Sequence, residues 1–170
     1  DPPIESKFGP EAKPEKAKQL LEEAGYPDGF DAGTFTYTKS GYPMSAKFAQ
    51  LYQQQCEKIG VTFDLRNVTK ERWLSEFWNK EDEFYQTGWT MKFPTQNILS
   101  LACHSEGPWN DMKWGNDEFD KYVEQARATP DIEERAEQYR NALEILHERG
   151  GWVVPYWMDR LSVVNPDLKN

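Results

Sequence analysis

The sequence predicts an α/β domain in which helices flank a mixed, partly parallel sheet. Three observations support this fold class: strand and helix patterns alternate through the first half of the chain, the second half is mostly helical, and 170 residues suffice for one domain with a substantial core. Strand, helix, strand, helix, strand is the order in which crossover helices join parallel neighbours. We therefore expect the strands of the first half to pair in parallel.

The elements of the first half follow from apolar spacing and turn residues. Helices show an apolar stripe closed by glycine or opened by a capping residue, and strands alternate apolar and polar positions. The pattern predicts an extended lead-in at 1–13, a helix from Pro14 to a stop at Gly25, and strands at 34–38, 61–68 and 83–89. Between the first two strands it predicts a helix whose apolar face holds Met44, Phe48, Leu51, Tyr52, Cys56 and Ile59. Between the second and third strands it predicts a helix at 69–79, with Thr69 as N-cap and an apolar face of Trp73, Leu74, Phe77 and Trp78.

The second half is predicted to contain three helices and a final strand. Asp131 and Glu134 have the spacing of a capping box, and two glycines close the last helix. Pro155 cannot donate to a ladder, which favours an edge strand or a segment that leaves the domain. The predicted elements are helices at roughly 95–103, at 117–128 and at 131–149, and a strand at 152–158, so that the domain covers 14–158 and a tail follows at 159–170.

The charge balance argues against a nucleic-acid partner. The chain carries 20 basic and 29 acidic residues, a net charge of −9, and the acids are spread through helical segments. No apolar run has the length needed to cross a bilayer, and the first residues lack the apolar core of a signal peptide. The pattern favours a soluble domain.

The sequence offers little for catalysis or metal binding. Cys56 and Cys103 match no metal or redox spacing, and whether they form a disulfide stays open because sequence cannot supply the geometry. The two histidines, His104 and His147, do not stand in the pattern of a nucleophile and its base, and no phosphate-binding glycine loop is present. We expect no enzymatic activity, no metal and no cofactor; an α/β hydrolase domain is a distant alternative.

A ligand site is predicted where the third strand ends. In open α/β sheets, ligands bind beyond the carboxyl ends of the parallel strands. Gly88, Trp89 and Thr90 form the carboxyl end of the predicted strand at 83–89, and Tyr42 follows the first strand on the same side. These four residues are therefore candidates for ligand contact.

The order of elements and several local stretches resemble the extracytoplasmic solute-binding proteins of family 5, the receptors of peptide and nickel-type ABC transporters. The stretches are KPEKAKQLLEEAGYPDGF, the helix end EKIGV, the dipeptide GW at a strand end, GNDEFDKYVEQARAT, ERAEQYRNALEILHE and VVPYW. The resemblance covers essentially residues 13–165, in the family's order. No single stretch is diagnostic, but their succession makes the resemblance specific.

The resemblance implies the C-terminal lobe of a two-lobe, type II periplasmic binding protein fold, with the tail leading back toward the other lobe. It implies a receptor that delivers its solute to an ABC permease, acts as a monomer, and resides in the periplasm or at the outer face of the cytoplasmic membrane. In this family, the strand end with the GW pair contributes backbone groups and an aromatic wall to the ligand. That agrees with the position of Trp89 inferred from strand direction.

Lys92 departs from the family pattern. Peptide-binding members commonly carry an Asp three residues after the Trp, where it pairs with the ligand's α-amino group, and this chain has Lys92 there. If Lys92 points inward, the ligand presents an anion or a carbonyl; otherwise Lys92 is an exposed turn residue. Phe93, Gln96 and Asn97 are secondary candidates. A peptide is the leading ligand, and an oligosaccharide or an acidic small solute is the alternative.

The remaining tryptophans allow two interpretations. Trp109 and Trp114, in the polar loop PWNDMKW, either cap the core or face the cleft as a stacking platform, and core capping is preferred. Trp73, Trp78 and Trp152 fit a helix-on-sheet core better than a site.

Overall fold

The computed structural model describes residues 11–40, 44–80, 84–89 and 94–156. Strands and helices alternate up to residue 85, and helices follow. The elements are α1 (Pro14–Glu23), β1 (Phe30–Thr38), α2 (Ser45–Glu57), β2 (Val61–Val68), α3 (Lys70–Arg72) with a π-helical turn (Trp73–Phe77), β3 (Phe84–Tyr85), α4 (Thr95–Ile98) with a second π-helical turn (Leu99–Cys103), α5 (Asp117–Ala128) and α6 (Ile132–Arg149).

The described strands form a parallel sheet in the order β2-β1-β3, so the expected parallel pairing is confirmed. β1 begins at Phe30, before the predicted start at residue 34, because a bulge between Asp31 and Thr34 interrupts the alternation. At the bulge Gly33 has φ +77°, and its backbone N–H donates to Asp31 Oδ1 at 2.9 Å. The period-two pattern is thus visible in the sequence only after the bulge.

Two glycines allow β1 and β2 to start side by side. Gly29 and Gly60 both have positive φ angles, and Phe30 N–H donates to the Gly60 carbonyl oxygen at 3.1 Å. A Cβ at Gly29 would collide with the Gly60 carbonyl group. The start of the sheet therefore requires glycine at residue 29.

The sheet core consists of the buried residues Phe35, Tyr37, Ala49 and Phe63, with half-buried aromatic residues around them. α2 covers the sheet with Phe48, Tyr52 and Cys56 of the predicted stripe, but the prediction was wrong for Met44 and Leu51. Met44 is 63% exposed and Leu51 55% exposed, whereas Ser45 and Ala49 are buried. The reason is that Met44 lies before the helix in a left-handed conformation (φ 67°), so the stripe starts at Ser45 and continues through Ala49 and Tyr52.

The third predicted helix is confirmed in position, and Thr69 caps it by accepting a hydrogen bond from Arg72 N–H at 3.3 Å. Most of it is a π-helical turn, in which Trp78 N–H bonds to the Trp73 carbonyl oxygen. Trp73 and Phe77 are buried, but the prediction was wrong for Leu74, which is exposed because it lies one step around the helix from the buried stripe.

The helical core consists of the buried residues of the second π-helical turn, α5 and α6. Asn116 caps α5, which spans the predicted 117–128, and Asp131 caps α6 by accepting from Glu133 N–H and Glu134 N–H. Both caps satisfy backbone donors that have no partner within the helix. The members of the helical core are Leu99, Ala102, Cys103, Phe119, Val123 and Ala142.

The predicted strand at 152–158 was wrong over its described part, since 152–156 is extended chain outside any sheet. Val153 and Val154 are exposed, and no described strand pairs with them. The alternating apolar residues suggested a strand, but a strand needs a neighbour that supplies hydrogen bonds, and Pro155 also lacks an N–H group. The remaining residues of this prediction lie outside the described part of the chain.

Both cysteines are free, which decides the question that the sequence left open. Cys103 is buried in the helical core, where burial raises the pKa of its thiol to about 12. Cys56 is half-buried on α2; burial raises its pKa, and a hydrogen bond with Tyr52 lowers it. Among the described residues, no helix is both long and apolar enough to span a bilayer, and no group of three metal-binding side chains occurs.

Candidate functional site

The carboxyl edge of the sheet ends in a short β3, with Gly88 and Trp89 just beyond it. Ladder pairing with β1 covers Phe84 and Tyr85, and Gln86 N–H extends it by donating to the Thr36 carbonyl oxygen at 2.9 Å. The predicted strand at 83–89 is therefore shorter than expected. Gly88 is exposed and Trp89 is half-buried.

Trp89 contacts two other indoles. Its ring centroid is 6.1 Å from that of Trp109 and 5.8 Å from that of Trp152, with interplanar angles of 34° and 39°. These separations are typical of interacting aromatic pairs. We call Trp109, Trp89 and Trp152 the tryptophan stack. It packs against the helical core through Trp89 and Trp152, and Trp109 is its most exposed described member.

Asp111 connects the tryptophan stack to the sheet side of the domain. Its carboxylate accepts hydrogen bonds from Trp152 Nε1 at Oδ1 (2.9 Å) and from Trp78 Nε1 at Oδ2 (3.2 Å). Its carbonyl oxygen accepts from the Tyr85 hydroxyl at 3.1 Å, and that hydroxyl accepts from Asn79 N–H at 2.9 Å. One residue thus joins the end of the first π-helical turn, β3 and the segment after α6.

The Asp111 carboxyl group is only 8% exposed, and its burial raises its pKa. Hydrogen bonds from Trp152, Thr87 and Trp78 act in the opposite direction because they stabilise the carboxylate. The N–H group of Trp89 also lowers the pKa of Asp111 by its proximity. It does not have the geometry of a hydrogen bond, however, so Trp89 Nε1 is buried with no hydrogen-bond partner among the described residues.

A second set of buried polar groups lies at the carboxyl end of β1. Ser45 Oγ, at the start of α2, donates to the Thr38 carbonyl oxygen at 2.6 Å, and the side-chain amide of Gln86 lies within hydrogen-bond distance of the same hydroxyl. Trp73 Nε1 donates to the Gln86 carbonyl oxygen at 3.1 Å. These polar groups bond to one another and fix the strand ends.

Of the site residues predicted from the sequence, the structure describes Gly88, Trp89, Gln96 and Asn97. Gly88 and Trp89 lie at the carboxyl edge, while Gln96 and Asn97 are exposed on α4. Gln96 borders a shallow surface depression with Glu124 and Arg127 of α5. Tyr42, Thr90, Lys92 and Phe93 lie outside the described residues. Ligand contact by all of them stays a prediction.

The loop tryptophans divide between the two interpretations. Trp114 packs against the helical core, 5.1 Å from the Phe119 ring, as the preferred core-capping interpretation requires. Trp109 instead contacts Trp89, with the two rings tilted by 34°. Sequence reasoning missed Asp111 and Ser45, because neither stands in a known motif; the one available signal was an acid placed between the tryptophans of PWNDMKW.

A family model described as bacterial extracellular solute-binding proteins, family 5 Middle, matches residues 1–110. The chain belongs to this family. The membership covers β1, α2, β2, β3 and Trp89, and it confirms the resemblance read from the sequence.

Relatives of family 5 align with most of this chain. Heme-binding protein A of Haemophilus influenzae is 32% identical over 149 residues, which are 82% of this chain and 26% of that protein. The dipeptide-binding protein of Escherichia coli is 30% identical over 145 residues, 80% of this chain and 26% of that protein. The chain therefore spans about a quarter of the length of these relatives.

Solved structures of the family share the fold. The periplasmic binding protein DppA from Helicobacter pylori, in complex with the peptide STSA, superimposes with a TM-score of 0.72 at 28% identity. The match covers 89% of this chain and 30% of that one. The predicted fold class, part of a type II periplasmic binding protein, is thus confirmed.

Proposed function

We propose that this chain forms one lobe of the substrate-binding component of an ABC importer, which captures a peptide-like solute between two lobes and delivers it to a membrane permease. One observation carries the proposal: in a chain of family 5, Trp89 stands just beyond the carboxyl end of β3, in contact with two further indoles. This is the edge where α/β sheets bind ligands.

The proposed mechanism is lobe closure without covalent chemistry. Residues 14–158 form the lobe, and 159–170 lead back to the other one, which the longer relatives have room to contain. The solute binds between the lobes, so that binding shifts a hinge equilibrium toward the closed state. The receptor acts as a monomer, on the outer side of the cytoplasmic membrane, and it is not an enzyme. The names of the relatives, all binding proteins, support this assignment.

A peptide-like solute is the leading ligand class, because relatives are named for dipeptide and peptide ligands. Lys92 modifies this proposal: in place of the usual Asp, its ammonium group favours a carboxylate or carbonyl over a free α-amino group. An acidic small solute or an oligosaccharide is therefore the second candidate.

The direct test is to purify the complete receptor that contains this chain and to identify the solute that copurifies with it by native mass spectrometry. We expect a small molecule or peptide at one per receptor, and weak or no binding by the isolated lobe, which buries only part of the ligand. A stable complex with another protein and no solute, or turnover on ester, peptide or glycoside panels, would contradict the proposal.

Lys92→Asp tests the ligand class. If Lys92 faces the solute, the exchange moves selectivity from anionic toward amine-bearing ligands, as titration calorimetry on the complete receptor with N-acetylated and free dipeptides would show. Lys121→Asp, on the exposed side of α5, is the matched control for charge reversal. Unchanged selectivity in Lys92→Asp would contradict a contact between Lys92 and the solute, but it would not contradict the receptor function.

A further inference from the structure

Asp111 is a buried carboxylate whose side-chain partners include neutral indole groups from two distant segments. Trp78 reaches it from the end of the first π-helical turn, and Trp152 reaches it from beyond α6. Burying a carboxylate is costly, and an apolar side chain of similar volume would fill the same space without that cost. What Asp111 supplies, and an apolar residue would not, is a fixed direction for the two indole rings.

The orientation of Trp89 depends on its neighbours. Trp89 Nε1 is buried without a hydrogen-bond partner among the described residues, so no described hydrogen bond of its own side chain fixes the rotation of this ring. The ring instead contacts the tilted rings of Trp109 and Trp152, and its N–H group lies near the Asp111 carboxylate. Of these two, Trp152 is anchored to a buried acceptor, Asp111 Oδ1.

The backbone of Asp111 is held in place by a hydrogen bond from β3. Its carbonyl oxygen accepts from the Tyr85 hydroxyl, and Tyr85 belongs to β3, the strand that leads into Gly88 and Trp89. The two carboxylate oxygens hold one indole each, so the plane of the carboxylate is defined by both bonds together. A rigid path thus runs from β3 through Asp111 and Trp152 to the face of Trp89.

We propose that Asp111 is the positioning residue of the candidate site, which holds Trp152 by its indole N–H group and thereby sets the orientation of the Trp89 ring. Its relevance to solute recognition rests on the proposed function, because a wall that contacts a ligand must be held in place before the ligand arrives. The positioning itself is a property of this chain without solute.

Fluorine NMR on protein labelled with fluorotryptophan tests the positioning directly, with one resonance for each indole, assigned by Trp→Phe variants. Asp111→Asn keeps the size of the side chain but replaces one acceptor oxygen by a donor. We expect the resonances of Trp78 and Trp152 to shift and the resonance of Trp89 to broaden; broadening is the readout for Trp89, because the lost charge lies near its N–H group and could shift the resonance by itself. The resonance of Trp114, which packs on Phe119, serves as the internal reference and should stay in place.

Two further variants separate positioning from a purely structural role. Asp120→Asn makes the same chemical change at a carboxylate that accepts from Ser105 N–H, and it should leave the Trp89 resonance unchanged. Trp78→Phe removes the donor at Oδ2 while keeping a ring, so the carboxylate can rotate and the Trp89 line should broaden. If Asp111→Asn does not fold, the line width of Trp89 in Trp78→Phe alone tests whether Asp111 positions that ring.

A Trp89 resonance that keeps its line width, in a folded Asp111→Asn protein or in Trp78→Phe, would overturn the proposal, because Asp111 would then only join packed segments. The measurement needs no solute, so a failure here leaves the receptor function standing. Conversely, a receptor that captures no solute would contradict the proposed function without changing the result of the NMR measurement.

Discussion

In the sheet core, aromatic rings contact one another across the strands and α2, whereas the helical core combines one buried ring, Phe119, with aliphatic side chains and alanines between its helices. The Phe35 ring alone lies within 6.4 Å of four other rings, those of Phe48, Tyr52, Phe63 and Phe84. In the helical core, Ala102 and Ala142 are fully buried beside Leu99 and Val123. The sheet core is stabilised by contacts between a few large rings, and the helical core is stabilised by close packing of its helices.

The difference shows where orientation matters. Each core is apolar and specifies volume, whereas Asp111 specifies direction by hydrogen bonds that join Trp152, beside the helical core, to Trp78 and Tyr85, which pack on a third cluster around Trp73 and Phe77. The candidate site lies beside these hydrogen bonds and in neither core alone. Breaking a core should therefore reduce stability, whereas changing Asp111 should alter the site and the pH dependence of stability.

Leu99→Ala should have the largest effect, a loss of about 2–5 kcal/mol of unfolding free energy, because it leaves a cavity in the helical core. Leu99 is 2% exposed. Leu51→Ala is the matched control on α2, where the leucine is 55% exposed, and it should cost well under about 1 kcal/mol. Urea unfolding followed by circular dichroism measures both, and equal losses would contradict the assignment of the helical core.

Thiol labelling extends this test to each half of the domain. Cys103 lies in the helical core and Cys56 on α2, so an Ellman assay under native conditions should label Cys56 first. Leu99→Ala should speed the labelling of Cys103 more than that of Cys56, because it opens the helical core locally. Parallel acceleration of both would indicate that the two cores unfold as one unit.

Gly29→Ala should follow in size, because its Cβ would meet the Gly60 backbone and the residue has φ +78°. The clash adds to a backbone strain of about 1–3 kcal/mol. Gly33→Ala separates the two costs: Gly33 has a similar φ of +77°, but a Cβ there meets no atom within 4 Å. Thermal unfolding of both variants should give the larger loss for Gly29→Ala, and a larger loss for Gly33→Ala would place the close contact elsewhere.

The pH dependence of stability should report Asp111. Burial raises its pKa in the folded state, so its contribution is present in full below the unfolded pKa of about 4 and is lost as the pH rises through the folded pKa. Asp111→Asn should flatten this part of the stability curve, as urea unfolding at a series of pH values would show. The nearby Cys103 thiol, with a pKa of about 12, stays neutral across that range.

A slope that is unchanged in Asp111→Asn would mean that other carboxyl groups determine the acid branch of the curve. It would also weaken the contrast between the two cores and Asp111.

The smallest predicted effect concerns the cap of α6. Asp131→Ala removes the acceptor for Glu133 N–H and Glu134 N–H and should cost about 1 kcal/mol. Asp131→Asn keeps a side-chain oxygen at this position and should cost less, as chemical unfolding of the two variants would measure. Equal losses would assign the effect to the charge at the helix N-terminus instead of the hydrogen bonds.

Local signals predicted most of the elements. Thr69 and Asp131 lie where their helices begin, and α5 spans the predicted residues. Sequence spacing failed where the signal depended on something else: the bulge at Gly33 hid the first residues of β1, and the left-handed Met44 moved the buried stripe of α2 to Ser45. The strand predicted at 152–158 was wrong over its described part, 152–156, because a strand exists only with a paired neighbour.

The sequence by itself determined the alternation of elements, the parallel pairing of the first half, the family and the place of Trp89 after the third strand, because periodicity, caps and chain direction are local properties. Only the tertiary structure decided that Trp89 contacts Trp109 and Trp152, and that Asp111 holds the indoles of Trp78 and Trp152. The physical reason is that these contacts join residues far apart in the chain, and the hydrogen bonds to a buried carboxylate depend on distances that no spacing in the sequence encodes.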